Sequence, residues 1–161
     1  MPTDASQLIS QAINRLAEAK TYTHPLNDQA RRSSFSLGDA TGLTQLGIHL
    51  TRVAPGDYST EQHRHQHVDE FIYVLQGHGE LLLDQQRQPI QAGDFIGMPA
   101  QGAAHALYNN SDDDLIYLVG GGRAQFDVCD YPNLAKRLYI YNAEDGRRND
   151  FVALAKVEHK D

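Results

Sequence analysis

Short β-forming runs, each ended by turn residues, dominate the middle of the chain. The run Phe71–Leu75 is followed by Gly77, and the run Phe95–Met98 is followed by Pro99. Runs at intervals of roughly 8 to 12 residues are typical of β-sandwiches and β-barrels. No helical pattern separates the central runs, as a βαβ sheet would require. The pattern therefore predicts an all-β domain, with strands near 43–53, 71–75, 80–84, 87–91, 95–98, 103–108, 115–120, 125–128 and 137–141.

The two ends of the chain differ from this middle part. Apolar residues recur at helical spacing over 6–20, which predicts an N-terminal α-helix with Ser6 as its N-cap. The final stretch is polar, and its residues 151–157 could form either a short strand or a helical turn. The 161-residue chain is therefore divided into an N-terminal helix with an extended arm (1–32), a β-barrel (33–141) and a polar C-terminal extension (142–161).

The acidic balance of the chain limits its partners. Asp and Glu number 21 against 14 Lys and Arg, the formal net charge is -7, and the basic residues form no cluster larger than a pair. This argues against nucleic acid or an anionic membrane as the main partner. The first residues lack a signal-peptide pattern, and no apolar run approaches the ~20 residues needed to cross a bilayer. We expect a cytoplasmic protein that binds a small molecule.

Histidine is concentrated in the middle of the chain. Five of the eight histidines fall from His63 to His105, whereas no lysine occurs between Lys20 and Lys136. A central region without lysine cannot use Schiff-base chemistry, so the composition favours imidazole and carboxylate groups. The single cysteine, Cys129, excludes an internal disulfide and a Cys-rich metal site, and we expect it to be a buried strand residue.

The stretch from Gly56 to Glu70 contains three candidate metal ligands. Side chains two residues apart lie on one face of a strand, so His63 and His65 point the same way, as ligands of one ion must. Glu70 is five residues beyond His65, and an unbroken strand would turn it to the opposite face. A turn or bulge near 66–69 would return Glu70 to the side of the two histidines.

His105 is the fourth candidate and lies on a distant strand. The Gly- and Pro-containing segment 93–102 predicts tight turns that return the chain beside its neighbour. The four candidates together give three imidazoles and one carboxylate, a donor set suited to Fe, Mn, Ni, Cu or Zn. A six-coordinate ion would keep two positions for water, dioxygen or a substrate, whereas tetrahedral zinc would have none left.

These two stretches resemble the two conserved motifs of the cupin superfamily. The first motif reads Gly56…His63-x-His65-x4-Glu70-x6-Gly77, and the second reads Gly93-x5-Pro99-x2-Gly102-x2-His105-x3-Asn109. Each contains one inserted residue relative to the family pattern, and neither insertion removes a ligand position. The similarity covers about residues 43–120, and the wider sequence is also similar to small single-domain bacterial cupins, a subgroup largely uncharacterised in function.

The resemblance implies a fold, a cofactor and an assembly. The fold is a double-stranded β-helix, also called the cupin or jelly-roll barrel, here with an added N-terminal α-helix. The cofactor is one divalent transition metal ion, Fe, Mn, Ni or Zn, bound by His63, His65, Glu70 and His105. The implied assembly is a homodimer.

Three further side chains are candidates for a substrate pocket. His67 shares the face of His63 and His65 if the strand continues, either as a substrate contact or as an alternative ligand. His49 alternates with apolar residues and would face the cavity, and Tyr73 would form part of the wall. The run Gly120–Gly122 lacks the spacing and the following helix of a nucleotide-binding loop.

The ligand set favours a metalloenzyme that acts on a small oxygen-bearing metabolite by dioxygenase- or lyase-type chemistry. The alternative is a non-catalytic sensor module that binds a small ligand or a metal, because no acid or base outside the ligand set can be named. A third interpretation treats the metal as a structural link between strands. In each case the metal affinity is expected to fall on acidification, since the histidines must be neutral to bind.

Overall fold

Thirteen strands form three antiparallel sheets in the computed structural model, which describes residues 7–154. Two 3-10 helices (Ala12–Glu18 and Pro132–Leu134) and one α-helical turn, α1 (Leu37–Ala40), accompany them. No helix in the described part of the chain has the length and apolar character needed to cross a membrane. The strands are β1 (Lys20–His24), β2 (Asn27–Ser36), β3 (Leu46–Val53), β4 (Arg64–His65), β5 (Glu70–Gln76), β6 (His78–Leu83), β7 (Gln86–Gln91), β8 (Phe95–Met98), β9 (His105–Tyr108), β10 (Leu115–Gly122), β11 (Phe126–Tyr131), β12 (Lys136–Ala143) and β13 (Gly146–Ala153).

The strand order within the sheets defines the fold. The largest sheet has the order β1-β2-β3-β10-β5-β8, the second β13-β12-β11-β4, and the third β7-β6-β9. Strands distant in sequence, such as β3 and β10, are therefore neighbours in space. This is the all-β double-stranded β-helix, or jelly-roll, that the sequence predicts.

An apolar core fills the space between the largest sheet and the three-stranded sheet. Alternate residues of β5 and β10 point into it, because side chains two apart share a face of a strand. Burial of each large apolar side chain contributes roughly 1.5 to 3 kcal/mol to stability. The buried core residues are Val53, Ile72, Val74, Leu81, Ile90, Ile96, Met98, Leu107, Leu115 and Tyr117.

The predicted N-terminal helix is shorter than expected and of a different type. It is a 3-10 helix over Ala12–Glu18, none of its residues is buried, and Gln11 before it has a left-handed backbone with φ of 47°. The chain from Lys20 onward pairs as β1 with β2 instead of continuing the helix. Pairing between strands thus overrides the local helical pattern. Ser6, the predicted N-cap, lies outside the described residues.

Both terminal segments contribute strands beyond the predicted barrel limits of 33 and 141. Strands β1 and β2 extend the largest sheet next to β3, and β13 pairs with β12 along its whole length. Of the stretch 151–157, residues 151–153 belong to β13, and residues 155–157 lie outside the described chain.

Candidate metal centre

A break in the chain between β4 and β5 turns Glu70 toward the two histidines. Strand β4 ends at His65, and β5 begins at Glu70 after the irregular segment 66–69. Along β5, Ile72 is 5% exposed on the inner face, whereas Tyr73 is 40% exposed on the outer face. The break that the ligand spacing requires is confirmed.

The main chains of His63 and His105 are hydrogen-bonded to each other. The N–H of His63 donates to the carbonyl of His105 over 3.2 Å, and the N–H of His105 donates to the carbonyl of His63 over 2.8 Å. Their ring centroids lie 4.8 Å apart, and the ring of His63 lies 5.1 Å from that of His65. This backbone bridge brings the distant strand of the second motif beside the first.

The Nδ1 atoms of the three imidazoles face acceptors away from the centre. Nδ1 of His63 lies 2.9 Å from a backbone carbonyl, and Nδ1 of His105 lies 3.4 Å from another. Nδ1 of His65 lies 2.5 Å from Oδ2 of Asp127. An imidazole that donates from Nδ1 presents its Nε2 atom as the metal-binding nitrogen. The Nδ1 contacts of His63 and His65 thus leave Nε2 as the ligand atom of these two rings. On His105, Nε2 lies 3.0 Å from Oε2 of Glu70 and would give up its hydrogen when an ion binds.

These side chains converge on the carboxylate of Glu70. Its Oε2 atom lies 3.0 Å from Nε2 of His105 and 3.8 Å from Nε2 of His65. Ligand atoms of His63, Glu70 and His105 all lie within 4.8 Å of one another. Ligands about 2.1 Å from one ion lie up to about 4.2 Å apart, so small side-chain rotations would close the set around an ion. The donors therefore fit a divalent transition metal in type and spacing.

Electrostatics place an ionised carboxylate beside a neutral imidazole in this cluster. Burial raises the pKa of Glu70, but the hydrogen bond from His105 and the neighbouring imidazoles outweigh it and lower the pKa to about 2. Burial and the charge of His105 lower the pKa of His63 to about 3. Burial also lowers the pKa of His65, but the hydrogen bond to Asp127 outweighs it and raises the pKa to about 10. A metal ion bound at this centre would displace the proton of His65.

A second group of side chains surrounds Nδ1 of His65. Asp127 and Cys129 stand two residues apart on β11, and Sγ of Cys129 lies 3.2 Å from Nδ1. The 2.5 Å separation between Asp127 and Nδ1 is a hydrogen-bond distance, because two ligands of one ion lie about 3 Å or more apart. Asp127 therefore orients His65 and does not share an ion with it at Nδ1.

Sequence reasoning missed Asp127. No motif marks this residue, and the only available signal is its position two residues before Cys129 on a short alternating strand. The prediction that Cys129 is a buried strand residue is confirmed, because it is 2% exposed on β11. Burial raises the pKa of its thiol.

The cluster lines a cavity of about 500 Å³, a volume suited to a small metabolite. One of the further polar lining residues, Tyr131, lies next to the cluster, with its ring centroid 5.8 Å from that of His63. The six further polar residues that line the cavity are His24, Arg32, Ser34, Thr51, Tyr117 and Tyr131.

His24 and Tyr131 form a buried pair within this lining. The N–H of Leu26 donates to Nδ1 of His24 over 3.1 Å, so the ring proton lies on Nε2, which is 3.2 Å from the Tyr131 hydroxyl. The hydroxyl accepts this hydrogen bond and keeps its own hydrogen for another acceptor. Burial lowers the pKa of His24 to about 4 and raises the pKa of Tyr131.

The three residues predicted for the substrate pocket have different positions. His49 lines the cavity, and on the sheet it pairs with Val119, which pairs in turn with Ile72. His67 is exposed, its ring lies 5.5 Å from that of Phe126, and the chain has left β4 before it. Tyr73 faces outward by strand alternation. The structure therefore brings His49 to the cavity wall, whereas His67 and Tyr73 are exposed outside it.

The glycine run at the end of β10 leaves space beside Glu70. Gly121 pairs with Glu70 across the sheet, and a Cβ atom on Gly121 would lie 2.9 Å from the carbonyl oxygen of Asp69. A side chain at this position would crowd the backbone of Asp69 and the Cα and Cβ atoms of Glu70. The run noted in the sequence thus makes room at the metal centre.

Comparisons with known proteins agree with this fold. The family model of the cupin domain matches residues 49–121. A solved structure from Acidithiobacillus ferrooxidans, provisionally assigned as a sugar phosphate isomerase, is 41% identical, with 96% of each chain covered and a TM-score of 0.85. A sugar phosphate isomerase of a cupin superfamily from Silicibacter pomeroyi is 30% identical, with 87% of this chain and 90% of that chain covered and a TM-score of 0.73.

The chain therefore belongs to the cupin superfamily. The polyketide cyclase RemF from Streptomyces resistomycificus has a TM-score of 0.59 at 19% identity over 73% of this chain and 80% of that chain, which concerns the fold alone. Among curated proteins, none matches this sequence.

Proposed function

We propose that this cupin is a metal-dependent enzyme that isomerises a small phosphorylated sugar. The observation that carries the proposal is one cavity lined both by the four candidate ligands and by separate groups able to move protons. The two similar structures described as sugar phosphate isomerases, one of them provisionally, support the choice of reaction. Dioxygenase- or lyase-type chemistry, a cytoplasmic location and a homodimer stay sequence-based predictions.

The metal would be held by Nε2 of His63, His65 and His105 together with the carboxylate of Glu70. A divalent ion at this position supplies Lewis acidity that polarises a carbonyl or hydroxyl oxygen of the substrate. The histidines contribute neutral nitrogen donors and Glu70 contributes one negative charge. The net charge of the centre would then be +1, which suits an oxygen-rich, anionic substrate.

His49 is our candidate for the proton-transfer base. Aldose–ketose isomerisation removes a proton from the carbon next to a carbonyl and returns a proton to the former carbonyl carbon, while a hydroxyl proton moves between the two oxygens. His49 lines the cavity, and burial lowers its pKa, which leaves the ring neutral and able to accept a proton. The Tyr131 hydroxyl, with its hydrogen unused by His24, is a candidate donor to a substrate oxygen.

The test is an isomerase assay in D₂O with the metal-loaded chain and a panel of aldose and ketose phosphates. We expect a ketose–aldose pair to interconvert, with deuterium entering at the carbon that exchanges its proton, as detected by NMR. The variant His49→Gln should lower the rate by about 10²- to 10⁴-fold. The matched control is His78→Gln, because His78 is an exposed histidine at the start of β6.

Binding of sugar phosphates without turnover, for every divalent metal tried, would replace this proposal with the non-catalytic sensor module. Consumption of dioxygen or release of a cleaved product in the same assays would return the dioxygenase or lyase prediction to first place.

A further inference from the structure

Arg32 is a cation that lines the cavity and has no ion-pair partner among residues 7–154. Among the described residues that line the cavity, it is the only Lys or Arg. Apart from Arg32 and Arg147, every arginine of the described chain lies within 4.0 Å of a carboxylate; these are Arg15, Arg31, Arg52, Arg64, Arg87, Arg123, Arg137 and Arg148. In a chain of net charge -7, a positive charge without a carboxylate partner in a cavity is unusual.

The guanidinium of Arg32 is held in place by neutral groups. Its NH1 donates to the backbone carbonyl of Ser59 over 2.7 Å, and its central carbon lies 4.9 Å from the ring centroid of Tyr22. Tyr22 and Arg32 are paired across β1 and β2, so their side chains leave the sheet on the same face. Among the described residues, NH1 to Ser59 is its one hydrogen bond, so Nε and NH2 remain available to a ligand.

The positive charge of Arg32 affects the pKa values of several other residues that line the cavity. After burial, it is the second cause of the lowered pKa of His24, and it also contributes to the lowered pKa of His49. It opposes the effect of burial that raises the pKa of Tyr117 to about 12. Several cavity groups therefore experience its positive field without neutralising it.

Hydroxyl groups stand next to Arg32 on the same face. Ser34 is two residues further along β2, and its Oγ lies 2.9 Å from Oγ1 of Thr51, its partner on β3. Only one of the two hydroxyl hydrogens is used between Ser34 and Thr51, so the pair has one O–H left to donate. Arg32 and this pair together present N–H and O–H donors to one region of the cavity.

We propose that Arg32, with the Ser34–Thr51 pair, binds the phosphate group of the substrate. This inference rests on the proposed function, because it assigns the substrate's anionic end to a particular part of the same cavity. A guanidinium with two available N–H groups fits the oxygens of a phosphate, and the hydroxyl pair can serve a third oxygen. A dianionic phosphate would also compensate the charge of Arg32 more fully than a carboxylate.

The position of Arg32 in the sheet separates the two ends of such a substrate. Arg32 lies on β2, whereas Glu70 lies on β5, three strands away in the order β2-β3-β10-β5. Three inter-strand spacings amount to about 14 Å across the strands. The register adds a separation along them, because Glu70 is level with Gly47 on β3, whereas Ser33, next to Arg32, is level with Arg52. Arg32 would therefore bind a part of the substrate distinct from the part beside the metal.

The experiment measures binding of four probes by calorimetry: inorganic phosphate, glycerol phosphate, glycerate and glycerol. The metal-free protein is used, so that the result does not depend on the metal or on turnover. We expect Arg32→Gln to weaken binding of the two phosphates by about 10- to 100-fold, the loss associated with a charge-assisted hydrogen-bonded contact. Arg32→Lys, which keeps the charge but loses the two-pronged donor, should give an intermediate loss.

The matched control is Arg147→Gln. Arg147 also lacks a carboxylate partner, but it is exposed on β13 and donates to a backbone carbonyl and to Asn142. This variant should bind all four probes within about twofold of the unmodified chain. Equal phosphate binding by Arg32→Gln, Arg32→Lys and the unmodified chain would overturn the proposal, as would glycerate binding as tightly as glycerol phosphate.

The proposed function and this inference can fail separately. If Arg32 variants lose phosphate binding but the unmodified metal-loaded chain isomerises no sugar phosphate, the phosphate site stands and the isomerase proposal falls. If the unmodified chain is an isomerase and Arg32→Gln leaves its KM unchanged, the isomerase proposal stands and the phosphate site falls.

Discussion

Two neighbouring groups of cavity histidines differ in how their polar atoms are connected. At the metal centre, Nδ1 of His63 and Nδ1 of His65 lie beside acceptors, so Nε2 is the atom left for an ion. In the adjacent His24–Tyr131 pair, whose tyrosine ring lies 5.8 Å from that of His63, His24 has the reverse tautomer, with Nδ1 accepting a hydrogen bond and Nε2 facing a hydroxyl. The metal centre thus offers nitrogen ligands to a cation, whereas the adjacent pair presents N–H and O–H donors.

This difference shows that the tautomer of a histidine, set by its hydrogen-bond partners, distinguishes a candidate metal ligand from a substrate-facing group. Eight histidines occur in the chain, and His24, at 6% exposed, is about as buried as the ligand candidate His105, at 4%. Burial alone would not separate the two kinds. Variants of both kinds of histidine test the distinction between candidate metal ligands and substrate-facing groups, beginning with the largest expected effect.

Replacing His63 or His105 by Ala should abolish metal binding. Each change removes a nitrogen ligand from the centre, so we expect affinity to fall by more than about 100-fold. Elemental analysis of protein purified after metal-replete expression measures this directly. The control is His78→Ala, an exposed histidine outside the cavity. Unchanged metal content in both ligand variants would remove the distinction between the metal centre and the His24–Tyr131 pair.

Metal affinity should fall steeply with decreasing pH. Hydrogen bonding to Asp127 outweighs burial and raises the pKa of His65 to about 10, so below that pH the ring carries a proton that a metal must displace. The loss is about tenfold for each pH unit between 8 and 6. Chelator competition gives the affinity, and calorimetry in two buffers gives the released proton. An affinity independent of pH over this range would contradict the role of His65.

The variant Asp127→Asn should weaken metal binding by about 10- to 100-fold, because the carboxylate that orients His65 is lost. The same variant should lower the pKa of His65 and flatten the pH dependence just described. Competition titration with a chromophoric chelator is the measurement. Asp112→Asn, in an exposed turn, is the matched control. Equal affinities for the two variants would mean that Asp127 does not act through the ligand.

Acidification should destabilise the fold partly through His24, which forms the buried pair with Tyr131. Its folded-state pKa of about 4 lies below the unfolded value near 6.5, so the unfolded chain binds the extra proton first. The free energy of unfolding should therefore fall as pH drops from 6.5 to 4, by up to about 3 kcal/mol from this residue.

Urea unfolding of metal-free protein at pH 7 and pH 4.5 measures this loss, and His24→Gln should reduce it. Because His49 and His63 also have lowered pKa values, the comparison of variant and unmodified chain isolates His24. An identical pH dependence in His24→Gln would disprove the assignment of a neutral, buried ring.

The smallest effect is expected for the two residues that the structure excludes from the cavity. His67→Ala and Tyr73→Ala should change binding of metal and of glycerol phosphate by less than about twofold, because both side chains point away from the ligand cluster. Calorimetry measures the binding of metal and of glycerol phosphate by both variants. A tenfold loss in either variant would restore that residue to the pocket.

The fold was largely predictable because its signals are local. Gly, Pro or Asn follows several central strands, including β5, β8 and β9; β8 matches its predicted limits, and most others differ by a few residues. The first 36 residues were less predictable. The helical spacing over 6–20 competes with pairing of β1 to β2 and of β2 to β3, and such pairing depends on partners far along the chain.

The candidate site was predictable only where a motif records it. His63 and His65 follow from strand alternation, and Glu70 from the break before β5. Asp127, Arg32 and the His24–Tyr131 pair depend on how separate sheets close around one cavity, which spacing within a strand does not encode. The alternation that would place His67 on the face of His63 and His65 stops where β4 ends, at His65.

The reciprocal backbone bridge between His63 and His105 has a consequence for hydrogen exchange. Each of the two amide protons is bonded to the other residue's carbonyl, so neither is released unless the two segments separate together. Their exchange with D₂O should thus follow one shared opening event. Metal binding would slow both amides by the same factor, so their two NMR signals offer an internal measure of how far the bound ion holds the barrel closed.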